Sequence, residues 1–155
     1  MIVVSDTSPL SALITIKHDW LLQNLFAQVY VPQAVHDELL RGHSVIPEYI
    51  ETISVLDMVE VARLSNQLDR GEAEAIVLAK EIHSALILMD EKLGRVQAEH
   101  EGLQVIGSMG VLLLAKQKGL IPSIKDLIAR MRAEAGFRLS NGVESAVLIA
   151  AGEKA

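Results

Sequence analysis

The chain has 155 residues, one domain's worth; 50% are hydrophobic and 22% charged, so a sizeable core can form and extended disorder is excluded. Aromatics make up only 3%, so that core must be aliphatic, and the absence of cysteine excludes a disulfide framework, a thiolate nucleophile and a thiolate zinc site. A formal net charge of −6 argues against broad binding along a nucleic-acid backbone, though not against a local basic groove.

Residues 2–5 are a short β-branched run that reads as a buried strand ending at Asp6. Asp6, Thr7, Ser8 and Pro9 offer a helix start, with Leu10, Leu13, Ile14 and Ile16 as its apolar face. A short helix over 19–26 and a strand at 29–31 follow. Pro32 then opens a helix to about Arg41, stopped by Gly42. Residues 53–56 are predicted as a strand and 59–68 as a helix. Asp69 followed three residues later by Glu72 is a capping-box pattern opening a helix over 71–83. The apolar run 85–89 reads as a strand ending in Asp90. A helix to Glu101, closed by Gly102, leads to a strand at 103–106. Helices are predicted over 109–118, 122–135 and 140–150. The alternation predicts an α/β domain with a mostly parallel sheet over about 1–106 and a helical C-terminal part over about 107–155, in one domain. No signal peptide is read at the apolar start, because Asp6 follows at once and no basic region precedes it. The apolar run 111–115 is far below the ~20 residues of a membrane span, so a soluble cytoplasmic protein is expected.

In open parallel sheets, ligands bind beyond the carboxyl ends of the strands. Asp6 and Asp90 both end apolar strands, although each would also serve as a plain helix cap. Glu38 borders the buried face of its helix, or simply pairs with Arg41 at i, i+3. Glu74 borders the stripe Ala75, Leu78, Ala79 and Ile82. Glu72 already has the capping role, which leaves Glu74 as the expected ligand; on that reading Glu72→Gln keeps activity and Glu74→Gln loses it. Lys92 and Arg95 after Asp90, and Lys17 and His18 at the end of the first helix, are candidates for phosphate-facing cations, although each singly reads more readily as an ordinary solvated charge. The five histidines show no metal-ligand spacing, and residues 107–110 lack the spacing of a phosphate-binding glycine loop.

Four blocks, V-V-S-D-T-S-P-L (3–10), V-P-Q-A-V-H-D-E-L (31–39), G-E-A-E-A-I-V-L-A (71–79) and L-I-L-M-D-E (86–91), occur in an order that resembles the PIN-domain superfamily. More specifically, it looks like the small prokaryotic PIN-like proteins related to the toxin subunits of VapBC modules. The resemblance spans about residues 2–106 and implies a PIN-like three-layer α/β/α sandwich with a helical C-terminal extension. It implies a metal-dependent endoribonuclease whose site is lined by Asp6, Glu38, Glu74 and Asp90, with Thr7 beside the first. Mg²⁺ or Mn²⁺ would be the cofactor, RNA the substrate and a small antitoxin the partner. The chain departs from the commoner toxins in having Glu rather than Asp at 74, and Met89 before and Glu91 directly after Asp90.

The chemistry is coherent without the resemblance. Phosphodiester hydrolysis needs an activated water and charge neutralisation at the phosphate, and divalent ions held by carboxylates supply both. A non-catalytic PIN-like binding or assembly module is the alternative. An aspartyl-phosphate enzyme would need adjacent aspartates at the first strand end, and Asp6-Thr7-Ser8 lacks them. The predicted helices 109–118 and 140–150 carry more apolar surface than a monomer of this size would cover, so a homodimer through an apolar helical face is expected.

Overall fold

The computed structural model describes residues 1–84 and 86–154. Val3 and Val4 are both fully buried, as a strand covered on two faces requires. They belong to β1 (Ile2–Ser5), which is followed by α1 (Thr7–Thr15), α2 (Trp20–Leu25), β2 (Gln28–Val31), α3 (Gln33–Gly42) and β3 (Ile50–Thr52). Next come α4 (Met58–Leu64), α5 (Arg70–Glu81), β4 (Leu86–Leu88), α6 (Lys92–His100) and β5 (Gln104–Ile106). Three helices, α7 (Ser108–Gln117), α8 (Ile124–Ala135) and α9 (Asn141–Ala150), complete the chain.

The five strands form one parallel sheet in the order β3-β2-β1-β4-β5. Because side chains alternate along a strand, Val3, Val29, Val31 and Leu88 face a layer containing α1, α2, α7, α8 and α9, whereas Val4, Ile87 and Met89 face α4, α5 and α6. The result is the expected α/β/α sandwich. The chain winds from β1 outward to β3, then returns to β4 on the other side of β1. This reversal makes the crevice beyond β1 and β4 the place for a ligand.

One expected element needs correction. The third strand is Ile50–Thr52, not 53–56: Ile50, Glu51 and Thr52 pair with Val29, Tyr30 and Val31, and only the Ile53 amide still reaches Val31 O, at 2.9 Å. The more apolar stretch after it leaves the sheet because β2 has ended. The expected start of the fourth strand at Ala85 lies outside the described residues. In α7, Val111, Leu112 and Ala115 are wholly buried against the layer that α8 and α9 complete and Leu113 and Leu114 are partly buried, while Val143 and Ile149 of α9 stay exposed.

Candidate active site

β1 delivers Asp6 to the middle of the sheet's carboxyl edge, where its amide still bonds to Leu88 O at 2.9 Å. Asp6 occupies the position just before α1 with extended backbone, yet its side chain makes no capping bond. The helix-cap explanation of this residue therefore fails. Its carboxylate is only 6% exposed, and burial drives its pKa from the ordinary 3.8 to about 7. The Thr7 amide works against that rise, and the negative charges of Glu72, Asp69 and Glu38 add to it.

Glu38 comes from α3 and is partly exposed; partial burial raises its pKa, with Asp69 adding to the rise and Thr7 and Arg41 opposing it. Gly71 is what lets α5 approach: a Cβ there would collide with Glu38 Oε1 and come within 3.5 Å of Asp6 Oδ1. Both carboxylates thus face the same glycine.

The capping box is present as expected. The Glu72 amide donates to Asp69 Oδ1 at 2.8 Å, and Glu72 Oε1 accepts from the Asp69 amide at 3.1 Å. That occupies only one oxygen. Glu72 Oε2 is buried with no hydrogen-bond partner among the described residues, and burial followed by the Asp69 and Glu91 charges raises the carboxyl's pKa. The other such orphan is Thr7 Oγ1, beside Asp6. It faces Glu38 but meets full hydrogen-bond geometry with no partner among the described residues.

The remaining two expected acids are already engaged. Glu74 is buried, accepts from the Ala34 amide at 3.1 Å at the start of α3, and pairs with Arg70 at 2.5 Å. The premise that Glu74 has no structural task is therefore corrected, and the idea that capping uses up Glu72 is only half met. Asp90 accepts from the Ser108 amide at 2.7 Å and from Ser108 Oγ at 2.5 Å, so it caps α7, not the helix that follows it in sequence. Asp6, Glu38 and Glu72 form no ion pair among the described residues, although the chain has 14 Lys and Arg.

Glu72's second, unpartnered oxygen is the candidate site feature that the sequence did not yield. A carboxylate has about four lone-pair sites and a capping box uses one, so the motif was never a reason to exclude it.

Among the described residues, no group of three or more His, Asp or Glu side chains is placed so that it could hold a metal ion by itself. The donor chemistry nonetheless fits a hydrated hard cation, which takes one or two carboxylates directly and the rest through water. The orphaned Thr7 Oγ1 and Glu72 Oε2 are the buried oxygens such a hydrated ion would satisfy.

A family model described as PIN domain matches residues 2–153, while no curated protein and no solved structure matches the chain. The match takes in the sheet, the Asp6 corner and the C-terminal helices alike, and the chain belongs to the PIN-domain family.

Proposed function

We propose that the protein is a divalent-metal-dependent ribonuclease that hydrolyses RNA phosphodiester bonds at the Asp6 corner. A PIN domain is a nuclease-type fold. The observation that carries the reading is Asp6 itself: a buried carboxylate at the central strand end, uncapped, surrounded by Glu38 and Glu72 and paired with no cation. Folding has gathered negative charge without compensating it, and a bound cation is the usual way such a cluster is tolerated.

Asp6, Glu72 and Glu38 would hold Mg²⁺ or Mn²⁺, directly or through water. When bound, the ion would lower the pKa of a nucleophilic water and neutralise charge on the scissile phosphate. Glu38 is the most exposed of the three, and its raised pKa suits it to take a proton from that water at its carboxylate. Thr7 Oγ1 offers a hydroxyl at the same corner. Asp90 and Glu74, the other two acids implied by the resemblance, shape the site by fixing α7 and by tying α3 to α5.

Incubation of the protein with structured RNA, with and without Mn²⁺, tests the reading. Cleavage that needs Mn²⁺ and disappears in Asp6→Asn is expected, and metal-independent cleavage or none would contradict it. The alternative, a non-catalytic PIN-like module, draws support from the structural engagement of Asp90 and Glu74 and predicts RNA or protein binding without cleavage.

The finer step, that this is the toxin of a toxin–antitoxin pair restrained by a small antitoxin, rests on the four-block resemblance alone. Growth arrest on expression, relieved by Asp6→Asn, is its expected sign, and unaffected growth would count against it. A homodimer through the α9 face would cover Val143 (48% exposed) and Ile149 (67% exposed). A monomeric mass at micromolar concentration would contradict that.

A further inference from the structure

A cavity of about 860 Å³ opens beside the acidic corner, running from Thr7 and Asp90 between the start of α6, the Gly107 turn and the α8–α9 connection. Its chemistry is two-sided. Lys92, Arg95 and Arg138 line it, and none of the three forms an ion pair among the described residues. In a chain of net charge −6, this groove sets three unpaired cations against two acids, Asp90 and Glu91, and Asp90 is already engaged with Ser108, so the local balance tips positive. Partly buried apolar side chains, Phe137 and Leu139, flank Arg138 and form the apolar part of the lining.

Both walls are held in place. Arg95 Nη1 donates to Met89 O at 3.2 Å, which anchors it beside β4. On the other side α8 ends at Gly136, whose φ of 62° lies in the left-handed region that glycine tolerates, and the Phe137 amide turns back to Met131 O at 3.1 Å. Arg132 then fastens the connection by donating to Leu139 O at 2.7 Å and pairing with Glu144 at 2.7 Å. Arg138 is therefore presented on a braced segment.

The opposite exit from the corner differs. The second cavity, about 440 Å³, is lined by Asp37, Glu38 and Glu74 against Arg41 and Arg70, and Arg70 is already paired with Glu74. A polyanion at the corner meets three acids and two cations, one of them paired, on that side, and three unpaired cations against Asp90 and Glu91 on the other.

We propose that the groove bounded by Lys92, Arg95 and Arg138 seats the single-stranded RNA flanking the scissile phosphate. Lys92 and Arg138 hold its phosphates, and the Phe137–Leu139 wall takes an unpaired base. The inference deepens the ribonuclease reading and rests on it for the position of the scissile bond, but not for the binding itself. Single strands fit the two-sided lining because their bases are free to lie on an apolar surface, whereas a duplex hides them.

The test measures binding of a fluorescent single-stranded RNA of about ten nucleotides in EDTA by anisotropy, across a salt series. Lys92→Ala and Arg138→Ala should each weaken binding on the order of fivefold and lower the slope of log K against log salt by about 0.7. Lys118→Ala, at the far end of α7 and outside the groove, should leave both unchanged. The same RNA as a duplex should bind on the order of tenfold more weakly. Unchanged affinity and slope in both groove variants would overturn the proposal, as would an equal loss in Lys118→Ala or equal duplex binding. So would a polyglutamate peptide of matched charge that binds as tightly and with the same dependence on Lys92 and Arg138, since the groove would then be a protein-docking surface. Cleavage with Mn²⁺, scored separately, distinguishes the two claims: groove-dependent binding without cleavage retains this inference and removes the ribonuclease reading, and cleavage indifferent to both substitutions does the reverse.

Discussion

Asp6→Asn should leave the metal-free protein as stable as the parent or more stable, while abolishing the Mn²⁺-dependent rise in melting temperature and the metal-dependent cleavage. The sign follows from linkage. Folded Asp6 holds its proton to about pH 7 and the unfolded chain only to about 3.8, so folding is favoured on the acid side. Stability falls as pH rises through that window and stays low above it. A shift of that size corresponds to at most about 4 kcal/mol of destabilisation at neutral pH, which Asn relieves by carrying no charge. Asn is also well tolerated at the start of a helix, so the backbone should not object. For the parent, an ion binding only the folded state adds RT ln(1 + [L]/Kd), about 2.7 kcal/mol at a hundredfold excess over Kd. In a domain of this size that is roughly 5–10 °C. Thermal unfolding of both proteins between pH 4 and 8, with and without Mn²⁺, checks it. A parent without a metal shift would remove the metal centre from the description.

Glu72→Gln and Glu74→Gln should differ in the sense opposite to the one the capping motif alone suggests. Gln at 72 still accepts from the Asp69 amide, so α5 keeps its cap, but the buried orphan oxygen, which lies against Gly94 of α6, loses the charge that acts on Asp6. Weaker metal binding and a cleavage loss of roughly 10- to 100-fold are expected. Gln at 74 keeps an acceptor for the Ala34 amide and loses the pair with Arg70, whose side chain is 58% exposed. Such a pair contributes about 1 kcal/mol at most, so activity should be nearly retained. Urea unfolding together with cleavage rates separates the two: a large activity loss confined to Glu74→Gln would restore Glu74 as the ligand.

The Asp6 corner was legible because its causes are local. A four-residue β-branched strand followed by an acid is a one-dimensional signal, and so is the Asp69–Glu72 box, which forms as the spacing requires. The alternation that announces a parallel sheet is equally local, and the sheet is there. What failed to show were partners brought from afar. The amide and hydroxyl that hold Asp90 belong to Ser108, eighteen positions on, and the amide on Glu74 belongs to Ala34, forty positions back. No spacing rule connects them. The β3 edge was displaced for a related reason: Ile50-Glu51-Thr52 has a single apolar residue and is unremarkable alone, and only its register on β2 makes it a strand. α7 looked apolar all round because it is covered on several sides by its own chain.

The central claim is that Asp6 and Glu72, with Glu38, hold a divalent ion. Calorimetric titration of Mn²⁺ into the parent, Asp6→Asn, Glu72→Gln and Glu74→Gln tests it most directly. Saturable binding in the parent and in Glu74→Gln, with loss in Asp6→Asn and marked weakening in Glu72→Gln, is the expected result. Absence of binding in the parent, or binding that survives Asp6→Asn unchanged, would contradict it.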